Sequence, residues 1–386
     1  MKILVTGAKG FIGKNLVAEL LNRGFEDILS YDADTEKDLL KVYASECDFV
    51  FHLAGINRPK DESEFMKGNF GFTKELLDAL KESGNTVPVL VSSSIQAELS
   101  NPYGVSKKAG EELVFEYSEE TGAEVFVYRL PNVFGKWCRP GYNSVVATFC
   151  HNTAHGLPIT VNDENTLLRL VYIDDVTDSF IGSMNSALSP KRPVKDEGFD
   201  EREGNRYCSV EVTSLITLGE LAKTIRGFKE TRESFFIPEA GDELKKKLYS
   251  TYLSYLPKED FSYPLNMHID ERGSFTEFLK ARGFGQVSVN VIKPGIVKGN
   301  HWHHTKNEKF LVVKGRGLFQ FRKYGEEEVT EYHVNGDELR VVDIPTGYVH
   351  NIVNEGEEDM VVIIWANEVY DPERPDTYRD EVIRNG

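Results

Sequence analysis

Cysteine is scarce in this 386-residue chain: Cys47, Cys138, Cys150 and Cys208 are scattered, and no CxxC pair occurs. A disulfide scaffold and a thiolate metal finger are excluded, and a reducing compartment is the simple expectation. Long apolar runs are also missing. No stretch of 18 or more apolar residues exists, which excludes a transmembrane helix. Positive charge is in deficit, with 45 Lys+Arg against 62 Asp+Glu and a net charge of −17. A nucleic-acid coat or a binder of anionic membranes is therefore not expected, although a local basic pocket for one anionic small molecule remains compatible. Internal repeats and low-complexity tracts are absent. The opening MKILVTG runs straight into a strand and a glycine turn without the apolar core of a signal peptide, so a cytoplasmic protein is expected.

What is present is an ordinary globular composition, 40% hydrophobic and 28% charged. At roughly 150 residues per domain, the length suits two to three domains. The first 180 residues alternate apolar β-branched runs (Ile3–Val5, Ile28–Tyr31, Phe49–Leu53, Val87–Ser92, Val125–Arg129) with amphipathic stretches at Phe11–Arg23, Thr73–Ser83 and Ser106–Thr121. Such alternation predicts a doubly wound α/β parallel sheet covered on both faces. From about Met267 the pattern changes to short strand-like runs: Gln286–Ile292, Phe310–Val313, Gly317–Phe321, Val329–His333, Glu338–Ile344 and Met360–Trp365. Gly, Asn and Pro turns separate them, which predicts an antiparallel barrel or sandwich. The expected division is a first domain over residues 1–245, a linker over about 246–264 and a second domain over 265–386.

Thr6-Gly7-Ala8-Lys9-Gly10-Phe11-Ile12-Gly13 follows a strand and opens a helix. Glycines there allow a tight turn and close approach of a pyrophosphate to the positive helix N-terminus. Asp32 ends the next strand, 19 residues beyond Gly13, where an acid can bond ribose hydroxyls or simply cap a turn. Tyr103 and Lys107 stand at i, i+4 on one helix face. An ammonium beside a phenol favours the phenolate, which is expected to lower the Tyr103 pKa and suit it to general-acid work. Ser92-Ser93-Ser94 precedes this pair at a predicted strand end.

These pieces, with HLAG (His52–Gly55), NPYGVSK (Asn101–Lys107), RLPNVFG (Arg129–Gly135) and RLVYIDDV (Arg169–Val176), resemble the extended short-chain dehydrogenase/reductase family over roughly residues 1–240. The resemblance implies a Rossmann-like fold and a catalytic set of Ser94, Tyr103 and Lys107. It implies a cofactor lined by Gly7, Lys9, Gly10, Phe11, Ile12, Gly13, Asp32, Leu53, Ala54, Gly55, Tyr103, Lys107, Pro131, Asn132 and Val133. Arg169 resembles the arginine that binds a nucleotide-sugar diphosphate, its alternative being a surface ion pair. Lys9 favours a phosphorylated cofactor, NADPH, whereas Asp32 would repel a 2′-phosphate close by.

In the second half, His301, His303 and Glu308 form an HxHx4E spacing, and His350 follows 42 residues after Glu308. Residues i and i+2 of a strand share a face, so the two histidines can converge. Three imidazoles and a carboxylate suit Zn, Fe, Mn or Ni. Gly295–Gly315 and Gly336–Asn354 are similar to the two cupin motifs, over about residues 265–370. The cupin resemblance implies a jelly-roll barrel and a divalent metal, expected as zinc, on His301, His303, Glu308 and His350. Asp270–Glu277 is also similar to the substrate segment of the nucleotide-sugar 3,5-epimerases, which implies Arg272 and Lys298 as substrate-binding residues and His301 as a catalytic base. His301 thus has two readings, ligand or base.

The order of domains resembles a bifunctional capsular polysaccharide synthesis family. That family implies a UDP-2-acetamido-2,6-dideoxy-4-hexulose, epimerised at C3 in the cupin. The first domain then reduces C4 with NADPH to UDP-N-acetyl-6-deoxy-L-talosamine, a precursor of N-acetyl-L-fucosamine, and the members are homodimers. A rival reading is an NAD-retaining nucleotide-sugar epimerase or dehydratase whose cupin only binds and dimerises.

Overall fold

The computed structural model describes residues 1–189, 207–239 and 241–384. The chain forms two compact units, residues 1–226 with 247–257 and residues 227–246 with 258–386. It passes from one to the other within the helices Leu218–Ser234 and Glu243–Leu253. The stretch 246–264, read above as a linker, thus contains the end of a helix and a 3-10 turn at Lys258–Asp260.

Six parallel strands build the sheet of the first unit, in the order Ile28–Tyr31, Ile3–Thr6, Phe49–His52, Val89–Ser94, Val125–Leu130 and Tyr207–Cys208. Alternate residues of each strand enter different cores. Ile3, Val5, Phe49, Phe51, Leu90, Phe126 and Tyr128 pack in one, with Leu16 and Leu20 of the helix Phe11–Asn22 and with Phe180 and Met184 of the helix Ile173–Leu188. Leu4, Val50, Val89, Val91 and Val127 pack in the other, against Leu76, Leu80 and Val114. A sheet buried on both faces needs apolar residues at consecutive positions, hence the unbroken apolar runs. The order reverses at Ile3–Thr6: its successor Ile28–Tyr31 lies on one side and Phe49–His52 on the other. The strand ends there splay and open a crevice.

Two boundaries differ from expectation in ways that matter to the site. The strand expected at Val87–Ser92 runs over Val89–Ser94, because Pro88 has no N–H to give a ladder and the serines continue the pairing with Val125–Leu130. The helix expected from Ser106 begins at Pro102. Asn101 caps it by accepting from the Gly104 N–H at 2.8 Å, and Pro102 occupies the first turn, where its missing N–H costs nothing. Tyr103 therefore lies inside the helix.

The second unit is antiparallel. One sheet is ordered Met267–Asp270, Gly273–Ala281, Gly285–Ile292, Met360–Ala366, Glu308–Lys314 and Val341–Ile344; the other is Val329–Asn335, Arg316–Lys323, Tyr348–Asn354, Val297–Trp302 and Tyr378–Arg379. Its core draws Phe310, Val312, Val362 and Ile364 from the first sheet and Phe319, Phe321, Val334 and Ile352 from the second, so the sheets close on a shared interior. Asp270–Gly273, the start of the segment likened above to a substrate segment, joins the first two strands of this unit as a tight hairpin. Gly273 has φ +133°, and a Cβ there would stand 2.0 Å from the Val291 carbonyl oxygen. Among the described residues, no helix is long and apolar enough to cross a membrane.

Candidate active sites

The first site lies at the crevice of the parallel sheet, a cleft of about 760 Å³. The glycine loop forms its floor. Gly7 adopts φ +71°, and a Cβ there would press the Ala54 backbone at 2.8 Å; at Gly13 it would meet the Gly7 carbonyl oxygen at 2.1 Å. The loop thus packs on Leu53–Ala54 and against itself, leaving the N-terminus of the helix Phe11–Asn22 with no side-chain cap and no acid in its first turn. Free N–H groups and the positive end of the helix dipole face an anion arriving there, which fits a dinucleotide pyrophosphate.

Gly7, Lys9, Gly10, Phe11, Ile12, Gly13, Leu53, Gly55, Ser94, Tyr103, Lys107, Pro131, Asn132 and Val133 all line this cleft. Three of the expected residues do not. Ala54 supports the loop from behind. Asp32 accepts hydrogen bonds from the Lys9 backbone N–H at 3.0 and 3.2 Å, which ties it to the loop. Arg169 is exposed on the strand Leu167–Tyr172, where its carbonyl accepts from Asn132 Nδ2 at 3.2 Å. The basic side chains on the cleft wall are instead Lys9, Lys14, Arg58, Lys107 and Arg139. Lys9 Nζ pairs with Asp34 at 2.5 Å.

A ladder between one strand and one helix sets the reactive groups. Lys107 Nζ donates to the Ser92 carbonyl at 2.7 Å, the Ser93 hydroxyl donates to the Glu111 carboxylate, and Tyr103 bonds the Ser94 side chain. Three consecutive serines thus meet three residues spaced one turn apart. Glu111 was not singled out by the sequence reading, although its position four after Lys107 was the available signal. It is buried, 1% exposed, and neutralised by Arg129, whose Nη2 lies 2.8 Å away. The Tyr207 hydroxyl completes the cluster, 2.7 Å from Arg129 Nη2.

Burial pushes the Lys107 ammonium down to about 8, with Glu111 pulling the other way. Burial raises the Tyr103 phenol, and the hydrogen bond with Ser94 opposes it only in part. The expectation that Lys107 lowers Tyr103 is therefore corrected: removal of the phenol from water outweighs its neighbours. A phenol kept protonated at neutral pH is a proton donor.

A second buried chain braces this helix. Thr73 Oγ1 donates to the Asn69 carbonyl at 2.6 Å, so it accepts from His52 Nε2 at 2.9 Å. His52 Nδ1 then accepts from Thr6 Oγ1 at 2.8 Å. The imidazole is neutral, and burial with nearby Lys107 holds it down to about 3. Asn69 Nδ2 continues to Ser106 Oγ at 2.9 Å, and Ser106 donates to the Tyr103 carbonyl at 2.7 Å. Neither Asn69 nor Thr73 was picked from sequence, since polar residues within a helical pattern ordinarily face solvent.

The second site is inside the antiparallel unit. One ligand atom from each of His301, His303, Glu308 and His350 falls within 4.8 Å of all the others. A β-bulge between Gly299 and His301 sets this convergence, with Asn300 at φ +59° as the extra residue. Glu308 Oε2 lies 3.5 Å from His303 Nε2 and 3.7 Å from His350 Nε2. Both of those Nε2 atoms are buried without a hydrogen-bond partner, an arrangement that protein interiors avoid unless a ligand supplies one. Burial lowers His301 to about 4 and His350 to about 3, so both are neutral. For Glu308, burial acts upward, but His303 and Lys306 together bring it down to about 2. Neutral imidazoles and an ionised carboxylate are the forms that bind a divalent ion, so the residues fit a metal.

His301, Glu308 and His350 open onto a cavity of about 290 Å³ that Glu277, Ser288, Asn290, Lys298 and Tyr370 also line. A second cleft of about 550 Å³ contains Asp270 and Arg272, and Phe275, Asn290 and Lys298 form a wall common to both. Lys298 Nζ donates to Asn290 Oδ1 at 2.7 Å and to the Val291 carbonyl at 3.2 Å. Arg272 instead folds back on Asp270, with Nε 2.9 Å from Oδ2.

Comparison with known proteins matches both halves. The model of the NAD dependent epimerase/dehydratase family covers residues 3–192, and that of the polysaccharide biosynthesis C-terminal domain covers residues 268–378. A Pseudomonas aeruginosa protein named UDP-2-acetamido-2,6-beta-L-arabino-hexul-4-ose reductase is 44% identical over 378 residues, 98% of each chain. The crystal structure of the capsular polysaccharide assembling protein CapF from Staphylococcus aureus is 48% identical, with a TM-score of 0.90 over 99% of this chain and 100% of that one. A UDP-glucose 4-epimerase from Thermotoga maritima, 20% identical with a TM-score of 0.52 over 66% of this chain, shares the fold alone.

Proposed function

The chain belongs to the CapF-like family, in which an epimerase/dehydratase domain precedes a polysaccharide biosynthesis C-terminal domain, and from that premise we propose that it is a bifunctional nucleotide-sugar epimerase and reductase. The substrate is a UDP-2-acetamido-2,6-dideoxy-4-hexulose, by likeness to the reductase from Pseudomonas aeruginosa. The antiparallel unit inverts C3, and the parallel-sheet unit reduces C4 to UDP-N-acetyl-6-deoxy-L-talosamine for capsular polysaccharide.

The observation that carries the reading is the Ser94–Tyr103–Lys107 group in one cleft with the glycine loop. A bound nicotinamide cofactor, proposed as NADPH from Lys9 at the rim, supplies hydride. Tyr103 gives its proton to the C4 oxygen, Ser94 bonds the same oxygen, and Lys107 holds positive charge beside it, so the ketone gains one hydride and one proton. In the other unit a 4-keto sugar has an acidic C3 proton, because the resulting enolate delocalises onto the ketone. A divalent metal on His301, His303, Glu308 and His350, proposed as zinc, supplies positive charge beside that oxygen. Of its two readings, His301 is assigned as a ligand, since its ligand atom belongs to the cluster of four. Glu277, Lys298 and Tyr370 are then the ionisable groups facing a sugar in the cavity. The domain bounds 1–245 and 265–386 and a homodimer complete the proposal.

The test is NADPH oxidation with this 4-keto sugar, followed by absorbance. Tyr103→Phe is expected to lower kcat by roughly 100-fold or more, the usual contribution of a positioned acid. Unchanged turnover in that variant contradicts the assignment.

A further inference from the structure

Residues 376–382 close over the metal cluster from outside, and several independent contacts hold them there. Asp376 makes two kinds of bond. Its carbonyl oxygen, which can only accept, takes the Nδ1–H of His303. That bond fixes the tautomer and leaves His303 Nε2, the buried atom without a partner, with its lone pair toward Glu308 and His350. The Asp376 carboxylate accepts from the backbone N–H groups of His304 at 2.8 Å, Thr305 at 2.7 Å and Lys306 at 2.8 Å, and from the Thr305 hydroxyl at 3.0 Å. It thereby organises the loop between His303 and Glu308. Lys306 in that loop reaches Glu308 Oε1 at 3.1 Å.

Further along, Tyr378–Arg379 pairs as a strand with His301–Trp302, adjoining a third member of the cluster. The backbone N–H of Asp380 donates to the Asn300 carbonyl at 3.2 Å, at the bulge itself. Arg322 fastens the end. It is 1% exposed, and its guanidinium donates to the Val382 carbonyl at 3.0 Å, the Glu381 carbonyl at 2.7 Å and Asp380 Oδ2 at 2.9 Å. An arginine this deep is retained only with its donors paired; these three acceptors lie on the C-terminal segment, and a fourth is the Glu326 carbonyl at 3.0 Å.

We propose that the C-terminal segment 376–382 is a strap that preorganises the metal centre, with Asp376 the positioning residue for His303 and Arg322 its anchor. This rests on the reading of the four-residue cluster as a metal site. The strap touches no ligand atom that faces the ion, so its effect is on affinity and not on ligand count.

The test uses the full-length protein stripped of metal and titrated with Zn²⁺ against a chromophoric chelator, with NADPH binding as the folding control. Asp376→Asn keeps the carbonyl to His303 but turns an amide toward three N–H donors. Its zinc affinity is expected to fall by roughly 10- to 100-fold, the usual range for a partner of a metal-bound histidine. Arg322→Met, which releases the strap without touching the loop, is expected to weaken zinc as well. Wild-type zinc affinity in both variants, with loss in His303→Gln, overturns the strap and leaves the cluster standing. Zinc affinity undiminished in His303→Gln overturns the metal reading itself, and the strap proposal with it.

Discussion

Glu111 illustrates how much of a reactive centre can rest on a residue that touches no reactant. It stands one turn beyond Lys107, accepts from the Ser93 and Tyr207 hydroxyls and is neutralised by Arg129. Removing one member of a buried ion pair leaves the other without compensation, so Glu111→Ala is expected to cost about 3 kcal/mol of stability in chemical denaturation. The milder Glu111→Gln reports on the chemistry. Glu111 acts to raise the Lys107 pKa, which burial brings to about 8. The other ionisable groups about Lys107 are Tyr103 and His52, and His52 is neutral. Without the carboxylate the ammonium is lost at a lower pH, so the alkaline limb of the kcat profile should move toward neutrality. An alkaline limb that stays in place would show that Glu111 does not set the charge on Lys107.

At the level of strands and helices, two connections carry testable consequences. His52 ends a sheet strand and links Thr6 to Thr73, hence a neighbouring strand to the helix Phe72–Ser83. Its folded pKa of about 3 lies below the ordinary value of 6.5, so the folded state resists its protonation. Stability from this group is complete above pH 6.5 and declines as pH falls toward 3. Between pH 6.5 and 5 the loss is about 2 kcal/mol, and it should be absent in His52→Asn when both are denatured in urea at the two pH values. The other connection is the bulge. Gly299 holds φ +112°, and a Cβ would meet Asn351 Cα and the His350 carbonyl oxygen at 2.8 Å. Gly299→Ala should therefore push His301 away from its partners and weaken zinc in a chelator titration; unchanged affinity would mean the bulge does not position the cluster. The pattern of apolar runs made the parallel sheet readable because both of its faces are buried. The strands Met267–Asp270, Val297–Trp302 and Tyr348–Asn354 were harder to see. Met267 and Ile269 are exposed on an edge, and the other two strands carry His301 and His350 where an apolar residue would ordinarily mark the inside. Site residues with chemical spacing, such as HxHx4E, were legible, whereas Asn69, Glu111 and Asp376 acquire meaning only from what folding brings beside them.

Across the whole chain, two separately built centres suit two consecutive operations on one ketone. The first has a proton donor and a cradle for a dinucleotide; the second has a four-residue cluster suited to a cation beside an enolisable sugar. In the proposed sequence, reduction at C4 would remove the ketone that makes C3 acidic, so it would trap the inverted sugar and draw a reversible step forward. Incubation of the 4-keto UDP-sugar with the protein in D2O, without and then with NADPH, separates the operations most directly. The account predicts deuterium at C3 before NADPH is added, oxidation of NADPH afterwards, and exchange that persists in Tyr103→Phe but is lost in His350→Ala. Exchange that vanishes in Tyr103→Phe, or survives in His350→Ala, would contradict a division of labour between the two units.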